Sequence, residues 1–177
     1  MKPANESNLK SRRARHPERV ILFFISNQMF AIAAEAVQEI RSTDSLAGAA
    51  VEIENLELPK VRHLIERGRH TYYVVNGCVH FGLRVTRPAL VMVLRQFRAV
   101  VLVDRIDRMA EIPGVYPLPA AFEGDERRWY RGLAYLDDTV IPVIDPAGFL
   151  LADEFQRLDY ATKAVAGHRE MEGAVQA

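Results

Sequence analysis

Hydrophobic positions in this chain cluster in short blocks separated by turn residues, a pattern that predicts strands more than long helices. Val20 to Ile25 is a β-branched and aromatic run. Ser26-Asn27-Gln28 carries turn chemistry, and Met29 to Ile32 resumes the run, which predicts a hairpin. Val37 and Ile40 then stand three apart, the spacing of a short helical turn. Residues 41–71 are charged and irregular and predict short elements only, with a charged linker over 60–69. Tyr72 to Val75 reads as a strand, and Gly77 to Leu83 as a turn with a short helix. Leu90 to Leu94 and Arg98 to Val103 form a second hairpin around Gln96, after which Ile106 to Glu111 is mixed in character. Pro113, Gly114, Pro117 and Pro119 mark a long loop. Trp129 to Tyr135 and Thr139 to Ile144 flank Asp137-Asp138 as a third hairpin. Phe149 to Ala164 predicts a helix with Leu150, Leu151, Phe155 and Leu158 on one face, followed by frayed residues. The first 17 residues are polar, basic and without period, and read as a mobile tail.

A shift of 69 positions lays one half of this pattern on the other. Asn27 falls on Gln96, Val37 on Ile106 and Ile40 on Met109. Tyr73-Val74-Val75-Asn76 falls on Pro142-Val143-Ile144-Asp145, and Phe81 on Leu150. Identity between the halves is low, but several elements keep one offset without gaps. Short strands joined by turns suit small barrels, so the repeat predicts two similar β-barrels side by side. Each alone would be marginal in size, which requires a shared interface.

Composition narrows the classes. In 177 residues, 23 Lys and Arg balance 23 Asp and Glu, and 49% of residues are hydrophobic, which excludes global disorder and a general polyanion binder. The neutrality is uneven: residues 10–19 sum to +4, and residues 137–159 to −5. A single cysteine, Cys78, excludes an internal disulfide framework and fits a reducing compartment. The uncharged stretch Val20 to Ala34 is too short to span a bilayer, which takes ~20 apolar residues. Its polar triplet and the acidic Glu6 and Glu18 also argue against a secretory leader.

Little in the sequence asks for catalysis. His63, His70, His80 and Cys78 lie in one region, but their spacings do not match metal-ligand patterns. Asp137-Asp138 sits at a hairpin tip, where Asp tolerates the left-handed conformation, and Asp104 follows a strand. Phosphate-loop, dinucleotide and nucleophile-elbow motifs are missing. Arg12-Arg13-x-Arg15 offers phosphate contacts without aromatic stacking partners, so a nucleic-acid-binding double β-barrel stands as the alternative function. The pattern otherwise suits a protein-interaction scaffold.

An ordered set of motifs carries a family resemblance. The first hairpin is followed by Val37-Gln38-Glu39-Ile40-Arg41, similar to a V-x-E-I element. Leu90 to Asp104 ends in Leu102-Val103-Asp104. Val115-Tyr116-Pro117-Leu118-Pro119, Arg131-Gly132-Leu133-Ala134 and Ile141-Pro142-Val143-Ile144-Asp145 follow in order. Over about residues 18–152 the chain resembles the CheW-like adaptors of bacterial chemosensory arrays.

The resemblance implies a mainly β fold of two five-stranded SH3-like barrel subdomains packed side by side, with short helices and a C-terminal helix. The organisation would be a tail at 1–17, the CheW-like domain at 18–152, and a C-terminal helix and frayed tail at 153–177. It implies a cytoplasmic, non-enzymatic adaptor with no cofactor, metal or catalytic residues. Its partners would be the regulatory domain of a CheA-type histidine kinase and the tip of a methyl-accepting chemoreceptor, a helical hairpin lying in a groove between the barrels. By position Val37, Glu39 and Ile40 would line or flank that groove, and Leu102 joins them as a partner-binding residue. Arg67-Gly68 resembles the family's Arg-Gly, and an arginine there would hold a receptor carboxylate through a forked hydrogen bond. The chain departs from the family in the charged Arg62, His63 and Glu66, and in Tyr73-Val74-Val75-Asn76-Gly77 where Pro-Val-Val-Asp-Leu is usual.

Overall fold

A computed structural model describes residues 17–53 and 56–175, with side chains to residue 163; the arginines at 12, 13 and 15 lie outside the described residues. The elements are β1 (Glu18–Ile25), β2 (Gln28–Ala33), β3 (Val37–Ser42), β4 (Ala50–Glu52), β5 (Val61–Arg67), β6 (His70–Asn76), α1 (Gly77–His80), β7 (Leu90–Leu94), β8 (Ala99–Val103), β9 (Arg105–Ile112), β10 (Tyr130–Leu136), β11 (Thr139–Ile144) and α2 (Ala152–Val175). They form two sheets, ordered β10-β11-β2-β1-β9 and β3-β7-β8-β6-β5-β4. The fold is mainly β, with two sheets packed side by side.

The 69-residue repeat is real in three dimensions. The shift carries β1, β2 and β3 onto β7, β8 and β9, and β5 and β6 onto β10 and β11. Irregularities repeat too. The bulge between Val61 and His63 recurs between Tyr130 and Gly132, and the bulge between Val37 and Glu39 recurs where β9 shifts register against β1. Asn76 accepts a hydrogen bond from the Val79 amide to cap α1, and Asp145 accepts one from the Ala147 amide to cap the equivalent 3₁₀ turn Pro146–Phe149.

The two halves are nevertheless not two successive barrels. The first sheet takes β1 and β2 from the first half and β9, β10 and β11 from the second. The second sheet takes β3 to β6 from the first half and β7 and β8 from the second. Parallel pairings, Val143 beside Ala31 and Tyr73 beside Ala99, join the exchanged pieces. A half of this size cannot enclose an adequate core alone, and exchange gives both sheets a common one. Val20, Leu22, Ala31, Ile112, Ala134, Ile141 and Val143 make a cluster within the first sheet, and Ile65, Val74, Val91, Val93 and Val100 one within the second. A third and larger cluster, including Phe23, Phe30, Tyr73, Met92, Val101, Phe149 and Leu158, fills the space between them.

Two local expectations are corrected. Val37 to Ile40 is a strand preceded by a 3₁₀ turn at Ala34–Ala36, not a helical turn. The bulge at Gln38 inserts one residue, so Val37 and Ile40 both face the shared core although they are three apart. The charged linker expected over 60–69 is mostly β5. Arg62, His63 and Glu66 lie on its exposed positions, while Val61, Leu64 and Ile65 are buried.

α2 closes the second sheet. Leu158 is fully buried, and the Phe155 ring lies 6.1 Å from that of Tyr73. The Tyr73 hydroxyl donates to Asp159 Oδ1 at 2.6 Å, and Arg98 Nη2 donates to Asp159 Oδ2 at 2.7 Å. One turn earlier, Lys60 Nζ meets both carboxylate oxygens of Glu154 at 2.8 Å, and Glu154 Oε2 also accepts the Leu151 amide. Lys60 Nζ lies 3.4 Å from Nδ1 of His80, whose ring is boxed by Phe81, Trp129 and Phe149. Lys60 can only donate, so Nδ1 is the acceptor and Nε2 carries the hydrogen, buried without a partner among the aromatic rings. Among the described residues no helix is long and apolar enough to cross a membrane.

Candidate functional site

After the bulge at Gln38, alternation along β3 turns Glu39 and Arg41 to the face opposite Ile40. Arg67 ends β5, and Gly68 begins the two-residue turn into β6 with φ +64°, a conformation that glycine adopts without strain. β3 and β5 are separated by three strands in the sheet order, yet Glu39 meets Arg67. The second sheet therefore curls until its two sides approach, and this ion pair spans the approach.

Glu39 holds two guanidinium groups. Its Oε1 meets Arg67 Nη1 as an ion pair, and its Oε2 accepts from Arg41 Nε at 2.9 Å. Burial alone would raise its carboxyl pKa, but Arg67 and Arg41 outweigh burial and hold the group below the usual range. The trio carries a net charge of +1. Arg67 is 31% exposed and Arg41 54%, so both keep donors toward solvent. Arg67 also lies 5.9 Å over the Tyr72 ring. Beneath the trio is a cavity of about 110 Å³ floored by Ile65, Val91, Val93 and Val100 and walled by Leu46. A forked cation beside an apolar recess can take a carboxylate and an aliphatic side chain from one partner.

Of the six residues expected to bind partners, Glu39 and Arg67 are brought together, with Gly68 beside them. Val37 and Ile40 lie on the opposite face of β3; Val37 is buried and Ile40 half-buried against the shared core. Leu102 is half-buried against the inner cluster of the second sheet and does not line the cavity. Arg41 and the valine floor were not among the expected residues. Arg41 was accessible in principle, because it stands two residues after Glu39 in what proves to be a strand.

The other chemistry-bearing residues are scattered. His63 and His70 are exposed and His80 is buried. The Sγ of Cys78 is 3.3 Å from Thr86 Oγ1, which donates to Asp104 Oδ1 at 2.6 Å. Asp137 bonds Arg108 at 2.8 Å. The shift carries Glu39 onto Arg108 and Gly68 onto Asp137, so an ion pair stands at the corresponding corner of the other half, although Arg67 itself falls on Leu136. Among the described residues no three His, Cys, Asp or Glu side chains form a metal-holding group.

Residues 19–154 match the family model of the CheW-like domain. No curated protein sequence matches the chain. Among solved structures, the scaffolding protein TtCheW from Thermoanaerobacter tengcongensis is similar, with a TM-score of 0.64 and 15% identity over 78% of this chain and 95% of that one. At that identity the likeness is one of fold.

Proposed function

The chain belongs to the CheW-like domain family, and from that premise we propose that it is a non-enzymatic chemotaxis adaptor. It acts in the cytoplasm, joining the helical tip of a methyl-accepting chemoreceptor to the regulatory domain of a CheA-type histidine kinase. The observation that carries the reading is the Glu39–Arg67 pair above an apolar recess. Such a surface recognises shape and charge. The guanidinium of Arg67 offers a planar fork to a receptor carboxylate, and the recess receives an apolar neighbour. Val37 and Ile40 support β3 from behind and keep Glu39 in register. Binding on this basis requires neither nucleotide nor metal.

Arg67 decides the matter. Arg67→Lys preserves charge and loses the fork, and it is expected to weaken binding of a receptor-tip fragment about tenfold. Arg67→Ala is expected to weaken it further. Calorimetric titration of the full chain with the fragment, and separately with the kinase regulatory domain, measures both. Equal receptor affinity in the wild type, Lys and Ala proteins would reject Arg67 as the contact. Failure of the wild type to bind either partner would reject the adaptor role.

A further inference from the structure

The two sheets correspond position by position, but they are finished differently. On the second sheet the cross-strand pair Leu64 and Tyr73 is covered by α2, with Phe155 against Tyr73 and Leu158 buried beside them. The shift carries this pair onto Leu133 and Pro142, which face each other on β10 and β11 and are only half-buried. One pair further toward the tip, the second sheet has Glu66 and Thr71, joined by a hydrogen bond in solvent. The first sheet has Tyr135 and Val140 there, directly paired and each 49% exposed. Tyr116 stands edge-on to Tyr135 at 5.0 Å and walls one side. The apolar strip is thus one pair longer than the one α2 covers, and it lies open.

Charge identifies what fits. α2 is held by its acids on the bases of the second sheet, Glu154 on Lys60 and Asp159 on Arg98. The corresponding positions on the first sheet are Trp129 and Met29, so a helix placed like α2 finds neither of these two counterions there. The hairpin tip also changes sign: Gly68-Arg69 is replaced by Asp137-Asp138. Arg108 engages Asp137, and Asp138 is exposed. We propose that the outer face of β10–β11 docks an amphipathic α-helix of a partner protein, apolar toward Leu133, Tyr135, Val140 and Pro142 and basic where it passes Asp138. The internal repeat supplies the precedent of a helix on this strand pair. The reversed charge disfavours a second copy's α2, which docks through Glu154 and Asp159. Exposed paired aromatic and β-branched residues are effective anchors for such a helix. This face is separate from the Glu39–Arg67 site, and the proposal does not depend on that one.

The probe is a designed amphipathic helix of about 15 residues, long enough to hold helical structure once docked. It carries leucines on one face and lysines at one end, and a twin carries glutamates in place of the lysines. Fluorescence anisotropy with the full chain should give the lysine peptide at least about tenfold tighter binding than its twin. Tyr135→Ser with Val140→Ser should reduce that binding at least about tenfold, with the melting temperature monitored alongside. Asp138→Asn keeps the left-handed turn and should narrow the preference between the peptides without touching the apolar strip. No binding, equal binding of the two peptides, or unchanged binding in the Tyr135/Val140 variant overturns the proposal. Binding of the kinase regulatory domain that these variants abolish, with neither peptide bound, overturns it in favour of a domain–domain contact.

Discussion

Lys60→Met is expected to destabilise the protein by about 3–5 kcal/mol, because it leaves a carboxylate buried without its counterion. Lys60 and Glu154 are only 11% and 12% exposed, and the charge of Lys60 lies within 2.8 Å of the carboxylate. Among the described residues nothing else cationic is paired with Glu154, which also accepts a hydrogen bond from the Leu151 amide at the start of α2. Removing the ammonium strands the negative charge where water cannot replace it, and α2 is the element most directly loosened. For a chain of this length the loss corresponds to a fall of roughly 6–20 °C in melting temperature. The double variant Lys60→Met with Glu154→Leu separates the cost of an orphaned charge from the worth of the pair. It should recover most of the lost stability, since a buried ion pair and an apolar replacement are often close in energy. A single variant as stable as the wild type in thermal unfolding would show that water reaches Glu154 and that α2 is not held this way.

The wild-type protein is also expected to lose stability on acidification more steeply than His80→Phe. Burial pushes the His80 pKa down from 6.5 to about 3, and the positive charge of Lys60 adds to the effect. Below pH 6.5 the unfolded chain takes up a proton at this site that the folded chain refuses. Proton binding therefore favours unfolding, and stability rises with pH through this window. The slope from His80 approaches about 1.4 kcal/mol per pH unit, begins near pH 6.5, and ends only as the folded group itself titrates near pH 3. Phenylalanine is the apt replacement because the repeat places Phe149 at the matching position of the other half. Both proteins carry the same carboxylates, so the difference between their urea midpoints at pH 7 and pH 5 reports on His80. If that difference does not change with pH, His80 is solvated or already paired.

The sequence did not announce the importance of Lys60 or His80. Lys60 lay in what reads as a charged linker, and His80 in a loose group of candidate metal ligands. β5 was hidden because the bulge at Val61–His63 places Arg62 and His63 both on the exposed side, which breaks the alternation that marks a strand. β3 was misread for the related reason that one inserted residue makes a strand imitate the three-residue spacing of a helical turn. Where strands carry no such irregularity near the turn, as in β1–β2 and β7–β8, the hairpins stand where the hydrophobic runs predict them.

The candidate site divides in the same way. Glu39, Arg67 and Gly68 were singled out by motif resemblance, and the fold places them together. Nothing local could show that Glu39 touches Arg67 across a sheet in which three strands separate them. Nor could it show that Val37 and Ile40, their neighbours in the motif, face the other way.

By itself the sequence determined the strand-rich class, the turns and the 69-residue repeat, because these depend on residue-by-residue preference and on periodicity. It also carried the family, through an ordered set of short motifs. Only the tertiary structure decided that the halves exchange strands, that one sheet is covered by a helix while its counterpart is open, and that a buried lysine holds that helix. Those outcomes rest on pairings between residues far apart in the chain. They are set by which combination of strands buries the most apolar surface while leaving no charge without a partner, and no local pattern records that choice.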